Sequence, residues 1–374
     1  MISGFATTAG TDRYRRRFPQ FDQNGFYRRS QHVPKLGDLW LSSVGIGTYL
    51  GEADDSADRA YADAIAHAVQ HGINVIDTAI NYRNQRSERN VGSALRQLID
   101  GGQIARDEVL VCTKAGYMPF DADMPPDPGA YLRKEYVVSG LAPMDEIAGG
   151  MHCMAPQYLA DQMERSRRNL GLETIDVFYL HNPETQLGHV SPDVFYQRLH
   201  RAFEFLESAV RDGKIRWFGA ATWNGFRASP SDRSFLSLER MVDTAKAVVG
   251  DAHHFRFVQL PFNLAMLEAY GYGNQPRDGQ HASMLRQVAD FGIAAVASGT
   301  LYQGNLAQGL PPQLKSALGA STDSEAAIQF ARSATNLTTA LVGMGRRQHV
   351  ESNLKVADLP PLSREKWEAL FSSK

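Results

Sequence analysis

One unit recurs along this chain and restricts what it can become: an amphipathic helix, a glycine, then a short β-branched strand. It reads AIAHAVQHG-INVID, ERSRRNLG-LETIDVFYLH, FLESAVRDG-KIRWFGAAT and LRQVADFG-IAAVAS. Glycine ends each helix because it accepts the left-handed backbone that follows the last turn. The helical period is clear in one example, where Phe195, Leu199, Ala202, Phe203, Leu206 and Val210 share a face. The strand segments Val75-Ile76, Val109-Leu110-Val111, Val177-Phe178 and Ala295-Val296 are continuous apolar runs, not alternating ones. Strands buried on both faces of a parallel sheet have that pattern.

Strands are expected near 43–47, 73–77, 108–113, 175–181, 214–221, 256–260, 293–297 and 339–343, with helices between them and after the last. Eight such units with no break in composition predict an α/β fold, a closed (β/α)8 TIM barrel rather than an open doubly wound sheet. No linker divides the 374 residues, and barrels of this kind run to such lengths as one unit. The expected parts are an N-terminal extension (1–35), the barrel (36–360) and a C-terminal tail (361–374). The arginines near the start read as a basic, solvated tail, and FYRRSQ with LWLSS as a short hairpin. Residues 115–156 form a long, proline-rich connection after the third strand, and connections of that length are usually functional or mobile. Its rings, Tyr117, Phe120, Tyr131 and Tyr136, suit a lid over a pocket or a surface insertion.

A formal net charge of −2 gives no reason to expect nucleic acid or an anionic membrane as partner. Two cysteines, Cys112 and Cys153, fit a reducing compartment and argue against a disulfide scaffold. No apolar run is long enough to span a bilayer, and the first residues lack a signal-peptide core. A cytoplasmic protein is the expectation. His253-His254 has no partner ligands at metal spacing, so no metal is expected. Oligomeric state is not specified.

Chemistry in such barrels sits at the C-terminal ends of the strands. Strand two ends in Asp77, with Tyr82 on the next loop; strand three ends in Lys114 and strand four in His181. Singly these read as a helix cap, a surface ring, a solvated lysine and a core histidine. Together, at three consecutive strand ends, they read as one site. A tyrosine hydroxyl has an ordinary pKa of about 10, and a nearby ammonium held by a carboxylate would favour its ionised form. His181 would supply a hydrogen bond to a substrate oxygen. A second group, TTALVGMGRRQHVESNL, offers a Gly-x-Gly turn, a helix start and arginines, which suits a phosphate. Arg83 and Arg86 suit either an anionic substrate or a solvated face.

These segments resemble the aldo-keto reductase family. DTAINY is similar to its Asp-Thr-Ala-x-x-Tyr motif, RSERNVGSAL to the helix start that follows, VQLPFNL to its strand-six motif and GRRQHVESN to its cofactor-binding end. The similarity runs from about Tyr27 to Leu354. It implies reduction of an aldehyde or ketone, or oxidation of the alcohol, with NADPH preferred and NAD not excluded. Tyr82 would be the proton donor, Lys114 and Asp77 its tuning pair, and His181 the orienter of the carbonyl. Cofactor contacts would come from Gly47, Thr48, Asp77, Thr222, Gln259, Leu301 and Gly304. Gly345, Arg346, His349, Ser352 and Asn353 would take the adenosine and its 2′-phosphate. A helix GTYLGE would bring Tyr49 to the mouth, and Trp223 joins it on the substrate side. Two departures stand out: Ala221-Thr222 replaces a common Ser-Asn, and Ser298 stands where many members carry a stacking aromatic ring. Rival readings are a Schiff-base lyase using Lys114 and a non-catalytic NADP(H) sensor, like the potassium-channel β subunits of that family.

Overall fold

The computed structural model describes residues 1–29, 36–277 and 279–371. Eight parallel strands close into a barrel: Val44–Gly47, Val75–Asp77, Leu110–Ala115, Ile175–His181, Ile215–Ala221, Phe255–Pro261, Ala294–Ser298 and Leu337–Gly343. They are numbered one to eight below. Closure comes from strand eight pairing with strand one, Ala340 opposite Val44 through Gly343 opposite Gly47. The predicted (β/α)8 barrel is the fold, and each strand lies within a few residues of its expected place.

Side chains alternate across each strand, and that alternation positions the site. Val75, Cys112, Val177, Tyr179, Trp217 and Phe257 fill the barrel interior. Ile76, Val111, Phe178 and Leu180 face the surrounding helices. Asp77, Lys114, His181 and Gln259 each lie two residues beyond an interior residue, so all four point inward at the C-terminal mouth.

The opposite end is plugged. Ala6, Leu36, Leu39 and Leu41 join the interior cluster, and strands Tyr27–Arg29 and Trp40–Ser42 form the expected antiparallel hairpin. Residues 30–35 of the extension, including Ser30 and Gln31 of the hairpin segment, lie outside the described residues, as do 372–374 of the tail.

The start of the chain is not a solvated tail. Thr8–Arg15 is a helix capped by Thr7. Its Tyr14 is buried and donates to the Ile73 carbonyl at 3.0 Å. Arg13 pairs with Asp107 and Glu108 at 2.6 and 2.9 Å, and Arg17 with Glu108 at 2.6 Å. The Ala6 amide donates to Asp176 at 2.6 Å, and Asp176 is in turn held by Arg106. At the other terminus, helix Arg364–Ala369 buries Trp367 against Tyr270 and Phe330.

Two local expectations change. GTYLGE is a loop, not a helix; its Thr48 hydroxyl donates to the Asp77 carbonyl at 3.2 Å. The connection from 115 to 156 divides in two. Its middle lies against outer helices: Tyr136 packs on Tyr158 and Glu135 pairs with Arg165 at 2.6 Å. Its two ends, Tyr117 and His152, meet in a short bridge beside His181.

Candidate active site

Asp77 does face Lys114. The Lys114 ammonium lies 2.5 Å from Asp77 Oδ1, 2.8 Å from the Thr78 carbonyl and 3.3 Å from the Tyr82 hydroxyl. Three N–H donors thus meet three acceptors. The second Asp77 oxygen accepts from Gln259 Nε2 at 2.8 Å. Because the Tyr82 oxygen accepts from Lys114, its own proton is left free to be donated elsewhere.

The electrostatics follow from depth. Burial raises Asp77 above the usual carboxylate range, and Lys114 works against that rise. Burial alone would lower Lys114; Asp77 and Tyr82 outweigh it and leave the ammonium above its ordinary value. Tyr82 is also raised, because desolvation exceeds the pull of Lys114. The expected net shift toward phenolate is therefore reversed: at neutral pH Tyr82 is a protonated phenol.

His181 lies edge-on to Tyr82, with ring centroids 5.7 Å apart. Burial, then the Lys114 charge, push its imidazole well below 6.5, so the ring is neutral. Its Nδ1 is buried with no hydrogen-bond partner among the described residues. A proton there would go unsatisfied, which leaves it on Nε2. Neutral phenol and neutral imidazole can both donate to one oxygen placed between them.

Aromatic rings border the mouth. Tyr49, 57% exposed, lies edge-on to Tyr82 at 5.0 Å. Tyr117 faces His181 at 5.5 Å and shares a hydrogen bond with Thr185 at 3.0 Å. Trp223 is half exposed, and its ring covers Gly299, next to Ser298. Arg83 and Arg86 are committed elsewhere. Arg83 pairs with Asp58 at 2.6 Å, and Arg86 with Asp58, Asp55 and Asp123 at 2.5, 3.0 and 3.2 Å.

The other predicted positions occupy the same end of the barrel in a looser arrangement. Gly47 and Ser298 end strands one and seven. The Thr222 hydroxyl, after strand five, and the Thr300 hydroxyl, after strand seven, are buried without partners among the described residues. Leu301 to Gly304 form a turn in which Tyr302, Gln303 and Gly304 have positive φ. Gly345 packs closely on Tyr61, whose ring would lie 3.0 Å from an added Cβ. Helix Arg347–Leu354 has no side-chain cap at its start. Arg346, His349 and Ser352 are exposed there and Asn353 is buried, while Arg347 is drawn to Asp63 at 3.7 Å. Two hydroxyls orphaned among the described residues, a helix start without a side-chain cap and an Arg346 that forms no ion pair among those residues could hold a phosphorylated dinucleotide. One assignment narrows: Gln259 gives one of its two amide N–H groups to Asp77.

Sequence reasoning missed Glu184 and His152. One buried Glu184 oxygen accepts from the Trp223, Asn224 and Gly225 amides at 2.7, 3.0 and 3.3 Å, which anchors the loop carrying Trp223. The sequence HNPE, directly after strand four, was the available signal. Among the described residues no group of three or more His, Cys, Asp or Glu side chains could hold a metal ion. His254 pairs with Glu207 at 2.7 Å. No helix of the described residues is long and apolar enough to cross a membrane.

Comparison with known proteins bears on the family and the fold. Residues 43–309 match the model of the Aldo/keto reductase family. The NADH-specific methylglyoxal reductase of Escherichia coli is 29% identical over 189 residues, 49% of each chain. A putative voltage-gated potassium channel subunit beta of Schizosaccharomyces pombe is 24% identical over 63% of this chain and 57% of its own. The chain thus spans about half the length of these curated relatives. An aldo/keto reductase from Klebsiella pneumoniae, solved with NADP and acetate, superposes with a TM-score of 0.59 at 19% identity, covering 90% of this chain and 92% of its own. With more than half its length matched to the family model, this chain belongs to the aldo/keto reductase family.

Proposed function

We propose that the protein is an NAD(P)H-dependent oxidoreductase that reduces an aldehyde or ketone, or oxidises the corresponding alcohol. The observation that carries the reading is the saturated Asp77–Lys114–Tyr82 chain, which leaves one phenol proton free beside neutral His181. When bound, the nicotinamide cofactor supplies or accepts the hydride. Tyr82 donates its proton to the carbonyl oxygen, and Lys114 stabilises the phenolate left behind. His181 Nε2–H orients the same oxygen. Thr48, Thr222, Leu301 and Gly304 would border the cofactor's nicotinamide and pyrophosphate. Arg346, His349, Ser352 and Asn353 would hold its adenosine end, with Arg346 favouring NADPH by pairing with a 2′-phosphate. The family contains an NADH-specific relative, so preference is a matter for measurement.

The lyase reading needs a neutral Lys114 amine. Here the ammonium is buried, raised and held by three acceptors, which supports the charged form. The sensor reading has one support, the similarity to channel β subunits. A panel of aldehydes, ketones and sugars with NADPH and NADH, followed at the nicotinamide absorbance, separates the two. Turnover with at least one carbonyl is expected. Tight cofactor binding with no turnover across the panel would overturn the enzyme reading in favour of the sensor.

A further inference from the structure

We propose that His152, at the far end of the long connection, is a positioning residue for His181: it supplies the hydrogen bond that strand three gives up at the acceptor site. The role deepens, and rests on, the carbonyl-reductase reading.

Strands three and four stay paired as far as Ala115 opposite Leu180. One residue later strand three turns away. The Gly116 carbonyl accepts from the Cys153 amide at 2.9 Å, and Tyr117 bridges to His152. The His181 carbonyl therefore loses its neighbour in the ladder, and a buried carbonyl without a donor is costly. His152 Nε2 lies 2.8 Å from that oxygen and fills the gap. The approach needs a bare backbone at Gly116, where a Cβ would lie 2.5 Å from the His181 oxygen and 2.7 Å from His152 Nε2.

The imidazole is itself held from behind. Gln186 Nε2 donates to His152 Nδ1 at 2.9 Å, which leaves the ring proton on Nε2. Arg198 fixes Gln186 from helix Pro192–Arg211 by donating to its oxygen at 2.5 Å, and grips the Asp145 carbonyl at 2.6 Å. Burial lowers His152 to about 4, so it is a neutral donor at working pH. Tyr117 packs edge-on against both His152 and His181, at 5.1 and 5.5 Å. One imidazole thus sets the end of strand four and the ring wall beside it. Errors of about 1 Å in such placement can lower rates by about 100-fold.

The test uses the full chain and the best carbonyl from the panel. His152→Leu should lower kcat/KM for the carbonyl by at least about tenfold while the cofactor Kd moves less than about twofold. His152→Gln, whose terminal amide reaches where Nε2 lay, should recover to within about threefold of wild type. His152→Asn, whose amide stops short of the carbonyl, should not. Should His152→Leu fail to fold, the Gln–Asn contrast decides in the same way. A Gln variant no better than Asn, or a parallel loss in cofactor affinity, would overturn the positioning role. Crystal structures of wild type and His152→Asn separate the two failures. A displaced His181 backbone in a protein whose wild type reduces nothing would overturn the reductase reading alone; an unmoved His181 would overturn the role of His152.

Discussion

The two sides of the barrel mouth are built on opposite terms. At strands two to four every donor of Lys114 and both oxygens of Asp77 are taken by other residues of the chain. Around strands five, seven and eight, the Thr222 and Thr300 hydroxyls are buried without partners among the described residues, Tyr302 and Gln303 sit in the left-handed region, and Arg346 is exposed. Orphaned atoms and positive φ are not confined to that side, since among the described residues His181 Nδ1 also lacks a partner and Arg83, Asn84, Gln85 and Asn182 have positive φ. What separates the two sides is a Lys114 cluster closed on itself against an exposed Arg346. Under the proposed function, the first side handles the proton and the second meets the cofactor. Substitutions on the first side should therefore act on rate, and on the second on affinity.

The severest challenge to that contrast is Lys114→Met. It should reduce turnover by about 1,000-fold or more, because the phenolate loses its counter-charge. It also strands Asp77 with Gln259 alone, and breaking a buried pair in this way costs about 3–5 kcal/mol of stability. Single-turnover rates and a thermal melt measure both. An active Lys114→Met would mean that the saturated cluster is structural.

Tyr82→Phe is the sharper, smaller probe. The hydroxyl is lost while the ring keeps its contact with Tyr49. Turnover should fall at least about 100-fold, with NADPH Kd unchanged by fluorescence titration. A comparable loss of affinity would erase the division between rate side and affinity side.

The pH profile follows from the same burial. Reduction needs the protonated phenol. Tyr82 is raised above its ordinary value of 10.0, so the acid form persists through neutral pH and is lost only above that value. His181 is held well below 6.5 and stays neutral. Plots of kcat/KM for reduction should be flat across neutral pH and fall only in the alkaline range. An inflection near 6.5 would mean that His181 titrates in the mouth.

Much of this arrangement was legible in the sequence, for identifiable reasons. Periodicity and helix-ending glycines located the strands. Each of Asp77, Lys114 and His181 lies at the end of an apolar run, so its place at the mouth followed from the strand itself. Where partners are remote, no such signal exists. Arg13 finds Asp107 and Glu108 across 94 and 95 positions, and the helix it stabilises read as a loose tail. His152 and Glu184 act on backbone groups, which leave no trace in residue type; for Glu184 only its place just after strand four, in HNPE, was a signal. The direction of the Tyr82 shift was missed because proximity to Lys114 can be inferred from spacing, whereas desolvation depends on the packed barrel.

The smallest effect tests the open side. Arg346 precedes helix Arg347–Leu354, is exposed, and forms no ion pair among the described residues. Its neighbour Arg347 is drawn toward Asp63, so the two arginines, adjacent in sequence, differ in availability. An anion at this helix start would meet free amides as well as the guanidinium. Arg346→Ala should then weaken NADPH binding by roughly tenfold, the lower end for a charge-assisted hydrogen bond at an exposed position. NADH, which lacks the 2′-phosphate, should change by less than about twofold, and Arg347→Ala should affect both cofactors less than Arg346→Ala affects NADPH. Turnover at saturating cofactor should be unaltered, since Arg346 lies apart from the Lys114 cluster. Equal losses for NADPH and NADH would remove phosphate recognition from Arg346, and the uncapped helix start alone would remain to explain any affinity for the dinucleotide.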